Sequence, residues 1–184
     1  EEDKKLDNNY GIYSKDEYDE LFKNIAGTKL NSKWSLWYHH SKNNWKIDGY
    51  RKIYTIITID DYFNLINNFD KIGGVLNQHF FLMRDDIEPI WEHDDNKKGG
   101  AWSFKILVED TFKLWKKLTL YIIGETLIKN SMGINGITVN QKNSINTVIK
   151  VWNKNEKNRS LELLPKDILD IYGYNIIYKE HVAE

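Results

Sequence analysis

Seven short runs rich in aromatic and β-branched residues punctuate the chain and predict strands: KWSLWYHH (33–40), RKIYTIIT (51–58), QHFFLMR (78–84), AWSFKILV (101–108), INGITVN (134–140), NTVIKVWN (146–153) and YNIIYKEH (174–181). Between them the apolar spacing switches to the helical period. IDDYFNLINNF (59–69) sets Ile59, Tyr62, Phe63 and Ile66 on one stripe, behind an approximate capping box of Thr58 and Asp61. TFKLWKKLTLYIIGETLI (111–128) predicts a long helix and PKDILDIYG (165–173) a shorter one. Ahead of the first strand, KDEYDELFKNI places Tyr18, Leu21, Phe22 and Ile25 at amphipathic spacing within an otherwise polar segment. The order β-β-α-β-β-α-β-β-α-β, read as hairpins separated by helices, predicts a mainly antiparallel sheet with helices on one face: an α/β chain of the α+β type. Its other face is then free to bind. Pro89 and Gly99-Gly100 set RDDIEPIWEHDDNKKGG apart as a loop between the third and fourth strands.

At 184 residues, 41% hydrophobic and 29% charged, the chain suits one domain with a sizeable core. The absence of Cys removes disulfides and thiolate chemistry and points to cytosol as the default compartment. No window has the apolar length of a membrane span or a signal peptide, and a first residue of Glu suggests a trimmed or processed chain. A net charge of −1 argues against gripping many phosphates along a nucleic acid, and leaves one short anionic ligand open.

Composition turns attention to the aromatics, because the chain carries seven Trp. Trp34, Trp37, Trp102 and Trp115 lie inside regular elements and read as core; Trp45, Trp91 and Trp152 lie in loops or at a strand end. Two facing indoles sandwich a flat ring, most strongly when that ring is cationic, and guanine methylated at N7 is such a ring. Its N1–H and N2 amino group are adjacent donors that one carboxylate accepts as a fork, and Glu92 stands beside Trp91 to supply it. For each tryptophan the plain alternative is packing at the rim of the core, and for Glu92 a solvated loop acid paired with Lys97 or Lys98.

KWSLW with a later Trp45, TIDDYFNLIN, IEPIWEHDDNKKGGAW, LWKKLTLYIIGE, GITVN and VWNKNEKNR, in this order over residues 29 to about 159, resemble the 4E-type initiation factors, the cap-binding subunit of the eukaryotic translation initiation complex. The resemblance implies one cap-binding domain over 29–184 behind an extension over 1–28, with a curved sheet, helices on its convex face and a cap slot on the concave side. It implies that Trp45 and Trp91 sandwich the methylated guanine, that Glu92 accepts its N1 and N2 hydrogens, that Trp152 lies against the N7 methyl group and that Lys142 holds the triphosphate. No cofactor or metal is implied. A monomer in the cytoplasm, the host's if the chain is viral, is expected, and a diverged protist or large-DNA-virus source fits the composition.

The departures are informative. The family's second phosphate-binding lysine falls at Val148, while Lys150 lies two residues before Trp152, hence on the same strand face, and is read as its replacement. An arginine common after the two glycines is Ala101 here. The surface where the family receives an amphipathic helix from a scaffold factor or repressor maps to Ile59, Phe63 in place of Trp, Lys116, Lys117 and Leu120, and the His-Pro before the first strand is Thr28-Lys29. Lysines there repel the partner's usual arginine, so a scaffold or repressor helix with a non-standard motif is expected. An alternative occupant is the chain's own acidic segment, with Asp16, Glu17, Asp19 and Glu20 facing Lys116 and Lys117; a loosely attached tail is the other reading.

Two rival functions stand beside cap binding in initiation. One is a cap-binding repressor or competitor, for which the altered patch speaks. The other is a cap-cleaving hydrolase with Asp85, Asp86, Glu88, Glu92, Asp94 and Asp95 as magnesium ligands, against which the chain offers no Gly-rich phosphate loop and no zinc-like spacing among its five His. Binding without catalysis is the expectation.

Overall fold

The computed structural model describes residues 16, 20, 23, 25–76, 78–85, 87–129 and 133–181. Its elements are β1 (Lys29–His39), β2 (Tyr50–Thr58), α1 (Ile59–Asn67), β3 (His79–Arg84), β4 (Gly100–Leu107), α2 (Thr111–Ile123), β5 (Ile134–Gln141), β6 (Asn146–Asn153), α3 (Lys166–Tyr172) and β7 (Ile176–Glu180). The seven strands form one antiparallel sheet in the order β2-β1-β3-β5-β6-β4-β7. Element order and fold class agree with the sequence. Most of the amphipathic segment 15–25, including Tyr18, Leu21 and Phe22, lies outside the described residues.

Pairing corrects one expectation: β3 and β4 do not form a hairpin. The loop between them is too long for a tight turn, and the β5–β6 hairpin occupies the space between the two strands. The loop over 87–99 therefore travels along one end of the sheet. The helix expected over 111–128 also stops early, at Ile123, because Gly124 follows and Glu125 takes a left-handed backbone with φ of 55°. Leu127 and Ile128 are buried all the same.

Strand alternation sends Trp34, Leu36, Phe80, Leu82, Trp102, Phe104, Ile137, Val139, Ile149 and Val151 to one face. There they meet Tyr62 and Leu65 of α1, Leu114, Trp115, Leu118 and Ile122 of α2 and Ile168 of α3. On α1 the buried residues are Tyr62 and Leu65, whereas Phe63 is 47% exposed, so the inward stripe is rotated from the expected one. The capping box is present: Thr58 Oγ1 accepts from Asp61 N at 3.1 Å, and Asp61 accepts from Thr58 N at 2.8 Å. The backbone N–H of Ile57, which donates to the Asp61 carboxyl at 2.9 Å, and that of Thr58 hold this carboxyl below its ordinary range.

The opposite face carries a smaller cluster of Tyr50, Phe81, Met83, Ile87, Ala101 and Trp152, with Trp37 packed at its margin. Trp37 thus leaves the main core that the sequence assigned it. Gly136 in β5 is required there, because a Cβ would stand 2.4 Å from Met83 Sδ and 2.7 Å from Leu82 O. No described helix is long and apolar enough to cross a membrane.

Candidate functional site

On this second face lies a cleft of about 540 Å³ lined by Trp45, Tyr50, His79, Phe81, Pro89, Ile90, Trp91, Glu92, Asn140, Lys142, Val148, Lys150 and Trp152. All six sequence-predicted cap-site residues converge in it. Two of its tryptophans are unusually open: Trp45 is 55% and Trp91 46% exposed. Trp152, near the end of β6, is 3% exposed and forms part of the floor with Phe81, whose ring meets it edge-on at 6.1 Å.

Each open indole is supported by a buried histidine. Trp45 follows β1 in a short loop and stacks on His39, with centroids 4.3 Å apart and planes at 22°. His39 Nε2 donates to Asn44 O at 2.8 Å, and Asn44 Oδ1 accepts from Lys46 N at 3.0 Å. Gly49 closes the loop against Asn44, whose carbonyl oxygen leaves only 2.0 Å for a Cβ. Trp91 lies parallel to His181, at 5.6 Å and 12°, and His181 also meets Trp152 at 4.6 Å.

The loop that carries Trp91 and Glu92 is clamped by Asn96, a fully buried residue. Its Nδ2 donates to Glu88 O at 2.9 Å and Ile90 O at 2.8 Å, and its Oδ1 accepts from Asn135 Nδ2 at 2.9 Å. His181 adds two more ties, from Nδ1 to Asn96 O and from its backbone N–H to Gly99 O, each 2.9 Å. Gly99 and Gly100 serve close approach: a Cβ would meet Asn153 O at 1.8 Å or Lys179 O at 2.5 Å. Sequence reasoning missed Asn96, Asn135 and His181. A lone Asn in a polar run carries no periodic signal, and His181 takes its role from a strand edge far away in sequence.

The electrostatics grade across the cleft. Burial first, then Glu92, raises the Tyr50 hydroxyl well above its ordinary value, so it stays protonated. His79 is pushed down to about 3, by burial first and then by His39, Lys142 and Lys150, which makes it a neutral wall at physiological pH. Burial, Lys142 and Lys179 lower Lys150, a sign of cations crowded at one end.

Three of the loop carboxylates are engaged by lysines. Asp85 pairs with Lys33 at 2.7 Å and Lys52 at 3.4 Å, Asp94 with Lys97 at 2.5 Å, and Asp95 with Lys154 at 2.6 Å. Asp86 lies outside the described residues. Among those described, no three metal-ligating side chains come together. A larger cleft of about 910 Å³, lined by Lys97, Lys98, Lys154 and Lys157, lies beyond His181 and includes neither open tryptophan. We take the smaller one as the site because the aromatic walls and the acceptor are in it.

On the helix side, Phe63 and Leu120 are 47% and 45% exposed, and Ile59 is half-buried. Lys116 Nζ stands 4.9 Å over the Phe112 ring, and Lys117 is tied to Asp167 of α3 at 2.5 Å. Asp16 and Glu20 are exposed, whereas Glu17 and Asp19 lie outside the described residues.

An antiparallel sheet with helices on one face and an aromatic-walled slot on the other defines a class of small-ligand binding domain. The chain belongs to the eukaryotic initiation factor 4E family, whose model matches residues 29–184. Eukaryotic translation initiation factor 4E of Eremothecium gossypii is 32% identical over 139 residues, covering 72% of this chain and 65% of that protein. The Saccharomyces cerevisiae protein is 30% identical over 139 residues, covering 72% and 64%. A 4E homologue of Acanthamoeba polyphaga mimivirus is 31% identical over 151 residues, covering 68% and 56%. The matches thus span just under two thirds of the first two relatives. The fold is shared with C. elegans eIF4E-3 in complex with the 4E-binding protein Mextli and cap analog, at TM-score 0.71, 24% identity and coverage of 84% and 92%. Ascaris suum eIF4E-3 with m2,2,7G cap superposes at TM-score 0.69, with 25% identity and coverage of 85% and 93%.

Proposed function

We propose that this chain binds the 7-methylguanosine cap at the 5′ end of mRNA and acts in translation initiation, holding the methylated base between Trp45 and Trp91. The observation that carries this is two half-exposed indoles, each supported on a buried histidine, lining one cleft beside Glu92, which forms no ion pair among the described residues. Stacking is worth most when the ring between the indoles is cationic and desolvated, which N7 methylation provides. Glu92 accepts N1–H and the N2 amino group, its backbone N–H faces O6, and Trp152 lies under the methyl group. Lys142 and Lys150 hold the triphosphate, Lys150 standing where the lysine absent at Val148 would have reached. Family membership and relatives solved with cap ligands support the reading.

The proposed site binds without catalysis: Asp85, Asp94 and Asp95 are committed to lysines, and Glu92 is assigned to guanine. Incubating the protein with a capped RNA and magnesium tests this: intact RNA is expected, and released methylated nucleotide contradicts it. The cytoplasm, where capped mRNA is translated, is the proposed compartment.

A second reading, a cap-holding repressor or competitor, is favoured by the helix-side patch. Phe63 and Leu120 offer apolar surface, yet Lys117 is joined to Asp167 and Lys116 covers Phe112, so an incoming helix meets cations where an acceptor is expected. The partner is then a helix with an acidic or apolar residue at that contact. Pull-down with a standard scaffold segment separates the two: capture supports initiation, and cap binding without capture supports the competitor.

A further inference from the structure

The slot face of the sheet continues past Trp152 onto β4 and β7. Pairing sets Trp152, Ala101 and Lys179 in one row across three strands, and Lys150, Ser103 and Ile177 in the next; Lys105 stands opposite Val148 in the third. Side-chain alternation directs all of these to the slot side. Lys105 and Lys179 are exposed and Ile177 is 63% exposed, whereas Ala101 between Trp152 and Lys179 is small and buried. Neither Lys105 nor Lys179 forms an ion pair among the described residues, and these rows carry no carboxylate. Glu180 alternates to the other face, where Arg159 holds it at 3.0 Å. Lys179 acts electrostatically on Lys150, so the two share one field.

We infer that this strip is the track of the RNA chain leaving the cap slot, with Lys179 and Lys105 on the phosphates of the first transcribed nucleotides and Ile177 an apolar step beneath a base. The inference rests on the cap reading of the slot. Continuity argues for RNA over an acidic protein, because a ligand held by its 5′ end must leave past Lys150. Two strand spacings across the sheet and two residues along it, together roughly 12 Å, separate Lys150 from Lys179, a distance that an extended nucleotide backbone covers. Ala101 and Ser103 are low enough to let the backbone approach, and the exposed strip carries no fork of donors and acceptors to read a base edge. The grip is therefore independent of sequence.

Equilibrium titrations of the full chain with 7-methyl-GTP and with a capped oligoribonucleotide of a few nucleotides, at several salt concentrations, test the track. The capped oligonucleotide is expected to bind more tightly and with a steeper salt dependence than 7-methyl-GTP. In a K105Q/K179Q variant that slope falls by about 1.4, two contacts at about 0.7 each for a single strand, while 7-methyl-GTP binding holds. An oligonucleotide that gains nothing over 7-methyl-GTP in the unaltered chain, or a variant that keeps the full gain, overturns the track and leaves the cap reading standing. A variant that loses 7-methyl-GTP equally contradicts assigning these lysines to the RNA chain. Failure of the unaltered chain to bind 7-methyl-GTP removes the cap reading itself.

Discussion

In the proposed cap reading Trp91 and Glu92 divide one task, a ring face from the first and an in-plane acceptor from the second, so their substitutions should differ in degree. Glu92→Gln keeps shape and one acceptor oxygen but puts an amide donor against the guanine donors. A loss of about 1.5–3 kcal/mol, roughly 10- to 100-fold in affinity for 7-methyl-GTP, is expected from calorimetry. Trp91→Ala removes half of the sandwich and should take binding below detection; wild-type affinity in either variant contradicts the assignment. His79 gives a prediction in pH. Its folded pKa, about 3, lies below the ordinary value of 6.5, so between these limits the unfolded chain binds the extra proton. Stability then rises with pH across that window, with a slope of up to about 1.4 kcal/mol per pH unit from this group. Denaturant titrations of His79→Phe at pH 4 and pH 6 should show that share of the slope gone; an unchanged slope would place the pH dependence elsewhere.

At the scale of elements, the loop over 87–99 is held in place by buried side chains, with Asn96 satisfying the Glu88 and Ile90 carbonyls and His181 that of Asn96. Asn96→Ala leaves Glu88 O, Ile90 O and the Asn135 amide short of partners, at about 1–3 kcal/mol for each group left buried. Faster amide exchange confined to residues 87–99, with weaker 7-methyl-GTP binding by a folded chain, is the expected result; unchanged exchange there would deny Asn96 its clamping role. Local rules made much of this architecture readable. Runs rich in aromatic and β-branched residues marked all seven strands, Thr58 and Asp61 marked the start of α1, and the Trp91-Glu92 loop stood out by its own chemistry. What stayed hidden depends on contacts between distant parts of the chain. The β3–β4 separation arises from where the β5–β6 hairpin inserts, and the end of α2 from a left-handed Glu125 whose carboxylate binds Arg84 at 2.8 Å. His181 beneath Trp91 is legible only once β7 is placed beside β4.

For the whole molecule, the two faces of one sheet divide the labour. The helix-side face buries the core and presents Phe63, Leu120 and the Lys117–Asp167 pair outward; the other face holds the slot and, in our inference, the RNA track. The slot sits on strands, and the loop that carries Trp91 and Glu92 is tied to β5 and to the residue after β7, as a preformed binding site requires. The central claim, that the slot selects a guanine whose ring carries a positive charge, is tested most directly by quenching of tryptophan fluorescence with 7-methyl-GTP and GTP in parallel. Strong, saturable quenching by 7-methyl-GTP with far weaker affinity for GTP is predicted, because only methylation charges the ring. Equal affinity for the two nucleotides, or quenching by neither, would contradict it.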